Sequence, residues 1–459
     1  MGVCRAFLVS VAAALLWAGA ALGATQELTV QASDGTPLAC GLVLPDGAPP
    51  DGGWPGLLLF HRLGETHASE EAVATGAFAP AGFASLACDA RGTGASGGRF
   101  GLDGPRETQD ARDLFGWLAA RPEVSDTQIG AFGVSLGGGA VWNAAAAGVP
   151  FRAIVPAGSW TSLRTALAPG GVPKIGLVAA LAQAVPAERW DPSLATARDE
   201  LLGGSVTAAV TAAAAQRSAK PLLPRLTVPT LILQGRHDFL FDLDQAIAAY
   251  RALQGPRRLY VGDLGHPPGA SPAAEQPSML AQAVAWFDTY LKGAPAGAGQ
   301  PGVELAHDPW NGTTASWTKL PATYPASVAL PGTSVLAPGS RVSRSARLTG
   351  GPHESFGAGS VVVRYAGAQG WTRLVASVSV AGAPTPVTVG AARISKPAGV
   401  ATIRLLDEVV SLPRGQRLTV TVGASSADGL FAGEPGAGAT VTIGRVTLNL
   451  PLLRGARYR

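Results

Sequence analysis

IGAFGVSLGGGA, Ile129 to Ala140, sets a single serine between two glycines just where a short apolar run ends. Gln128 to Phe132 reads as a buried strand, and the small residues from Leu136 onward read as the opening of a helix. Gly133 and Gly137 allow a sharp turn between the two. Such a turn pushes the hydroxyl of Ser135 out at the C-terminal end of the strand. A free hydroxyl is a weak nucleophile, so chemistry at Ser135 requires a base and an orienting acid elsewhere in the chain. The N–H of Leu136, at the start of the helix, would face a developing oxyanion. The competing explanation is a Gly-rich turn with no chemistry.

The base should be a histidine beyond a later strand. The candidates are His61, His67, His237, His266, His307 and His353. His266 follows the strand Arg258 to Val261, and Pro267 and Pro268 keep it on a loop. The acid should end the preceding strand. Thr230 to Gln234 does so, and Gly235-Arg-His-Asp238 turns away from it, so Asp238 is expected to hold the imidazole, with Asp242 as its competitor. Asp263 lies too close to His266 in sequence, and His237 reads as a neighbour. The order Ser135, Asp238, His266 is that of the α/β-hydrolases. A second oxyanion donor is expected after the strand Gly56 to Phe60, from the N–H of Arg62 or Leu63. His61 and Trp160 are candidate walls of the substrate pocket. Glu65 and His67 would touch substrate or orient the loop, with surface capping as the plainer reading.

Around this centre the chain alternates strands with helices. Glu27–Gln31 and Pro37–Leu44 form a hairpin, Phe83–Cys88 and Ala153–Pro156 are further strands, and Glu107–Ala120 and Pro277–Leu291 are amphipathic helices. Alternation of this kind implies a mainly parallel sheet covered on both faces. Residues 159–225 break the rhythm with Ala-rich helical stretches (Ile175–Val185, Val206–Ala215) and read as a small helical cap. An Ala/Gly/Pro run over 293–302 reads as a linker. Beyond it, from 303 to 459, helical periodicity disappears, and β-branched segments such as Ser360–Tyr365 and Arg417–Val422 predict an all-β sandwich. The expected domains are therefore a hydrolase domain over 25–292 and a jelly-roll-like sandwich over 303–459.

Residues 1–24 read as a secretory signal peptide: Arg5, an apolar run from Phe7 to Leu22, then small residues. The expected location is secreted or periplasmic, without stable membrane insertion after processing. Processing would leave Cys40 and Cys88, which an oxidising compartment would allow to bond; two buried free thiols are the expectation. No metal-type Cys/His spacing occurs, so neither metal nor cofactor is expected. From Gly302 onward there are 15 Lys and Arg against 7 Asp and Glu, and 20 against 24 before it. The C-terminal arginines are scattered, which gives no reason to expect nucleic-acid binding.

These residues together resemble a known group. DARGTGASGG (Asp89–Gly98), the helix carrying Glu107, Asp110 and Trp117, and the serine turn resemble the X-Pro dipeptidyl-peptidase and cocaine-esterase-like serine hydrolases. DPWNGTTASWTKLPATYP (Asp308–Pro325) resembles the junction to that family's C-terminal jelly roll. The resemblance implies that Ser135, Asp238 and His266 are the triad and that Asp89 and Arg91 pair locally to hold their turn. Members often carry a tyrosine after the nucleophile and another in the oxyanion loop; here Leu136 and Phe60-His61-Arg62 stand there.

The expected function is thus hydrolysis of small acyl esters, and of small amides, through an acyl-enzyme. The alternative within the class is an X-Pro dipeptidyl- or acyl-aminopeptidase acting on short peptides. The alternative outside it is a carbohydrate- or surface-binding module on a hydrolase scaffold, with Trp310, Trp317 and Trp371 stacking on sugars.

Overall fold

A strand that is apolar on both faces needs a layer on each side. In the computed structural model, which describes residues 25–266, 272–295, 302–383 and 385–459, this demand builds a ten-stranded sheet. Its strands are β1 (Thr25–Gln31), β2 (Pro37–Val43), β3 (Trp54–Phe60), β4 (Ala84–Cys88), β5 (Val124–Val134), β6 (Ala153–Ala157), β7 (Thr230–Gly235), β8 (Arg257–Gly262), β9 (Val303–Ala306) and β10 (Thr314–Trp317). The order is β1-β2-β4-β3-β5-β6-β7-β8-β9-β10. All pairs from β4 to β9 are parallel; β1–β2, β2–β4 and β9–β10 are antiparallel.

The helices between strands supply the two layers. They are α1 (His67–Val73), α2 (Pro105–Ala119), α3 (Leu136–Ala146), the cap helices α4 (Leu163–Leu167), α5 (Ile175–Gln183), α6 (Ala195–Leu202) and α7 (Ala208–Ala215), then α8 (Leu243–Ala252) and α9 (Gln276–Leu291). One face of the sheet packs on α2, α3 and α8 through Leu114, Leu118, Val141, Trp142 and Ile247. The other packs on α1 and its continuation, and on α9, through Phe78, Trp286 and Phe287. The chain reverses direction across the sheet between β3 and β5, which are hydrogen-bonded neighbours. Loops leaving the carboxyl ends of two such strands diverge and open a crevice, the usual place for a site in an open α/β sheet.

The second unit is an antiparallel sandwich. Thr323–Leu330, Thr440–Leu453, Ser360–Gln369 and Gly399–Arg404 make one sheet, with Ser334–Leu336 also pairing onto Thr440–Leu453; Val342–Arg347, Arg417–Gly423, Arg373–Val380 and Thr388–Arg393 make the other. β9 and β10, which the sequence reading assigned to the sandwich, extend the hydrolase sheet instead. Val303 and Leu305 are fully buried against β8, and the pairing Leu259–Val303 continues the parallel ladder. Their β-branched and apolar pattern suits either sheet, and only the unpaired edge of β8 decides between them. Trp310 and Trp317 accordingly pack on the hydrolase unit, and Trp371 is buried inside the sandwich. They form no common exposed face for sugars.

Cys40 and Cys88 form a disulfide, contrary to the expectation of free thiols. The two residues stand directly opposite each other on antiparallel β2 and β4. The pairing is set by the register of β2 against β4, which are separated in the chain by β3 and have no hairpin turn between them to fix it locally. The bridge closes a loop with a sequence separation of 48. Replacing both cysteines by alanine is expected to cost about 2–4 kcal/mol, read as a lower urea midpoint with a somewhat steeper slope, because the unbridged unfolded chain exposes more surface. The expected signal peptide over 1–24 and most of the expected linker lie outside the described residues. Among the described residues, no helix is long and apolar enough to cross a membrane.

Candidate active site

The serine turn has a constrained backbone. Ser135 has φ 58° and ψ −116°, a region that side chains other than glycine rarely enter. Three hydrogen bonds hold it there. Its N–H donates to Ala157 O at 2.9 Å, and its carbonyl accepts from Gly139 N–H at 3.1 Å and from Ser159 Oγ at 2.7 Å. The flanking glycines are needed for space. A Cβ on Gly137 would lie 1.9 Å from the carbonyl oxygen of Phe60, and one on Gly133 would lie 2.4 Å from Gly137. Gly137→Ala must therefore push apart α3 and the loop after β3. We expect about a 100-fold loss of kcat/KM toward an ester substrate, measured beside circular dichroism to show that the sheet persists.

The three residues expected to act together do meet. His266 Nε2 lies 2.9 Å from Ser135 Oγ, and His266 Nδ1 lies 2.8 Å from Asp238 Oδ2. The other oxygen of Asp238 accepts the N–H groups of Leu240 (3.1 Å) and Phe241 (2.9 Å). An ionised carboxylate only accepts, so Nδ1 carries the proton and Nε2 is left to take one from the serine. Asp242, the competing acid, is buried nearby but accepts the N–H of Asp407. Burial opposes charge on His266, yet the charge and hydrogen bond of Asp238 outweigh it, and the imidazolium persists above its usual 6.5. A base must be neutral to act. Activity should therefore fall as pH drops through this raised value, and the acid limb of a kcat/KM profile should have its midpoint above pH 6.5.

The neighbours of the relay are apolar. Phe241 meets the His266 ring edge-on at 5.3 Å, and Trp160 lies behind Phe241 at 5.1 Å. Trp160 was expected to line the pocket. Instead its ring is buried, and its indole N–H donates to Arg217 O at 2.8 Å, so it supports Phe241. Leu136, Trp160 and Phe241 belong to one apolar cluster with Leu167, Val178 and Leu201 of the cap, and Leu63 packs against it. A cavity of about 360 Å³ opens beside His266, with Arg62, Val134 and Gly158 in its wall.

His61 also departs from expectation. Its Nδ1 donates to Arg62 O at 2.7 Å and its Nε2 accepts from Ala90 N–H at 2.9 Å, so both nitrogens are committed to backbone. Burial keeps it neutral by pushing its pKa down. It braces the loop after β3 and does not face substrate. Arg62 O is held a second time by Glu65 N–H at 3.1 Å. That fixes the Arg62–Leu63 peptide plane, and the N–H of Leu63 points the opposite way from the held carbonyl.

Asp89 and Arg91 do not pair with each other. Asp89 accepts from the N–H and Nδ1 of His67 (2.7 and 2.8 Å) and from Ala95 N–H (2.7 Å). Arg91 forks onto Asp110 of α2 and reaches Asp34 at 3.1 Å. His67 is thus tied to the DARG turn, and Glu65 pairs with the Arg62 side chain at the surface. His237 sits beside Asp308 at 3.4 Å and Asp263 at 4.0 Å, away from the relay. Ser159 and Glu408, which both touch backbone of the relay residues, escaped the sequence reading. Ser159 carries no motif, and Glu408 lies 170 residues from its partner.

The sequence model of the X-Pro dipeptidyl-peptidase (S15) family matches residues 34–268. No curated protein sequence matches the chain. Among solved structures, a CocE/NonD family hydrolase from Staphylococcus aureus aligns over 94% of each chain with a TM-score of 0.74 at 14% identity. An alpha-amino acid ester hydrolase aligns over 95% of this chain and 98% of its own, with a TM-score of 0.67 at 15% identity. An aminopeptidase from a marine sediment Thaumarchaeota archaeon covers 97% and 99%, with a TM-score of 0.64 at 15% identity. At such identities the likeness speaks for the fold: a hydrolase sheet followed by a β-sandwich over the whole chain.

Proposed function

Since this chain belongs to the X-Pro dipeptidyl-peptidase (S15) family of hydrolases, we propose that it is a serine hydrolase of small acyl esters. The observation that carries this reading is the unbroken relay from Ser135 through His266 to Asp238 on a strained strand-to-helix turn. Ser135 Oγ attacks the ester carbonyl as His266 Nε2 takes its proton. The N–H groups of Leu136 and Leu63, or of Arg62, receive the negative charge that develops on the carbonyl oxygen. The tetrahedral intermediate collapses to an acyl-serine as His266 returns the proton to the leaving alcohol. Water then attacks the acyl carbonyl as His266 takes its proton, and the second tetrahedral intermediate collapses by breaking the bond to Ser135 Oγ, which regains the proton from His266 as the acid leaves.

Esters are favoured over peptides with a free amino terminus by the lining of the cavity beside the relay. Its charged groups are Arg62, paired with Glu65, and Asp238, committed to His266. Neither leaves a free carboxylate to hold an α-ammonium. The rest of that wall is largely apolar, with Val73, Val134, Leu264, Met279 and Leu280, and suits an uncharged acyl group. We place the protein in a secreted or periplasmic setting, in keeping with the leader-like first 24 residues and the Cys40–Cys88 bridge.

The test is a fluorophosphonate label followed by peptide mapping, run with a panel of p-nitrophenyl esters and Xaa-Pro-anilides. Label on Ser135 with faster turnover of the esters is the expected result. Faster turnover of the anilides would replace the ester reading with an exopeptidase, and label on another residue would remove the site.

A further inference from the structure

The acid arm of the relay rests on the β-sandwich. The loop that carries Asp238 runs from Arg236 to Leu243, and the buried segment Asp407–Val410 of the sandwich lies along it. Val409 N–H donates to Arg236 O at 3.0 Å, and Leu243 N–H donates to Asp407 O at 2.9 Å. Asp407 N–H donates to Asp242 Oδ2 at 3.0 Å. Between these, Glu408 Oε2 accepts the N–H of Asp238 itself at 2.9 Å. Glu408 is 2% exposed, and its own carbonyl is held by Ser355 Oγ at 3.2 Å. From the cap side, buried Lys174 donates to Phe239 O at 2.8 Å and Leu240 O at 3.0 Å. The loop is therefore clamped from two directions, and the single contact made directly to the backbone of Asp238 by a side chain outside the loop comes from Glu408 among the contacts described.

We propose that Glu408 is a positioning residue of the relay: by accepting the Asp238 N–H, it sets where the Asp238 carboxylate meets His266, and so makes the β-sandwich part of the catalytic apparatus. The inference rests on the assignment of Ser135, Asp238 and His266 as the triad. Misplacing a catalytic group by about 1 Å is enough to cost about 100-fold in rate. Burial, with Asp242, Asp238 and Asp407 nearby, pushes the Glu408 carboxyl well up from its usual range, toward the neutral form. A neutral carboxyl needs only its carbonyl oxygen to hold the N–H, and a glutamine side chain offers the same oxygen.

The full-length protein and p-nitrophenyl acetate make the test. Glu408→Ala and the space-filling Glu408→Leu should each lower kcat about 10- to 100-fold with KM changed by less than about threefold. In both, the acid limb of the kcat/KM profile should move to lower pH, because a displaced Asp238 no longer supports the imidazolium. Glu408→Gln should keep kcat and the acid limb close to the parent. Two results would overturn the proposal. One is a folded Glu408→Ala or Glu408→Leu protein with parental kcat and acid limb. The other is a Glu408→Gln protein as impaired as those variants. Should the apolar variants fail to fold, Glu408→Ser, whose hydroxyl is too short to reach the Asp238 N–H, takes their place: a loss of kcat with a lowered acid limb that Glu408→Gln does not share supports the proposal, and parental values overturn it. The parallel Ser135→Ala protein separates this from an error in the site. If that protein kept turnover, the triad itself would be misassigned, and the role of Glu408 would fall with it.

Discussion

Replacing Ser135 by alanine is expected to lower turnover of p-nitrophenyl acetate by about 10,000-fold or more, with fluorophosphonate labelling lost and the fold intact. The reason is local. His266 and Asp238 keep each other in alanine's presence, since their 2.8 Å bond does not involve the serine. What disappears is the one oxygen placed 2.9 Å from the base. The three hydrogen bonds that hold the turn use backbone groups of residue 135, so they survive the change. Ser135→Gly should be as inactive but more stable than Ser135→Ala by about 1 kcal/mol, because glycine adopts φ 58° without steric cost. Matched denaturation curves for the two proteins check this. Equal stability would mean that the turn holds no strain, and retained turnover in either protein would remove Ser135 from the mechanism.

Asp238→Asn is expected to lower kcat by about 10,000-fold while leaving KM for the ester nearly unchanged. Two N–H groups, of Leu240 and Phe241, point at Oδ1 of Asp238. They force the asparagine to turn its oxygen toward them and its NH2 toward His266 Nδ1. A donor facing Nδ1 requires the opposite tautomer, with the proton on Nε2. Nε2–H then points at Ser135, and no base remains. Asp242→Asn is the control. It removes charge from the same neighbourhood, but Asp242 bonds Asp407 and not His266, so the relay keeps its tautomer. A severe loss in Asp242→Asn with a mild one in Asp238→Asn would exchange the two roles.

Much of this site was legible because its parts are each written locally. Gly133-Val-Ser-Leu-Gly137 between a strand and a helix states the turn. Asp238 and His266 each follow an apolar run by a few residues, and their order along the chain suffices to pair them. His61 and Trp160 were misread for a common reason. Sequence shows that a side chain is near the site, but the direction it faces depends on partners far along the chain: Ala90 for His61 and Arg217 for Trp160. The DARG turn was read as structural, and it is, but its charges are satisfied by His67, Asp110 and Asp34 and not by each other. Short polar side chains bond whatever the fold brings opposite them.

The sequence by itself determined the alternation of strands and helices, the cap between β6 and β7, the β-rich C-terminal part and the choice of Ser135, Asp238 and His266 as candidates for the relay. All of these follow from periodicity and from the short distance between a strand and the loop that ends it. Only the tertiary structure decided which edge Val303–Ala306 would extend, that Cys40 would face Cys88, and that Glu408 would reach the backbone of Asp238. Each of these depends on register or packing between segments well separated in sequence. Such contacts are chosen by the burial and hydrogen bonding of the whole assembly, and no local pattern of residues carries them.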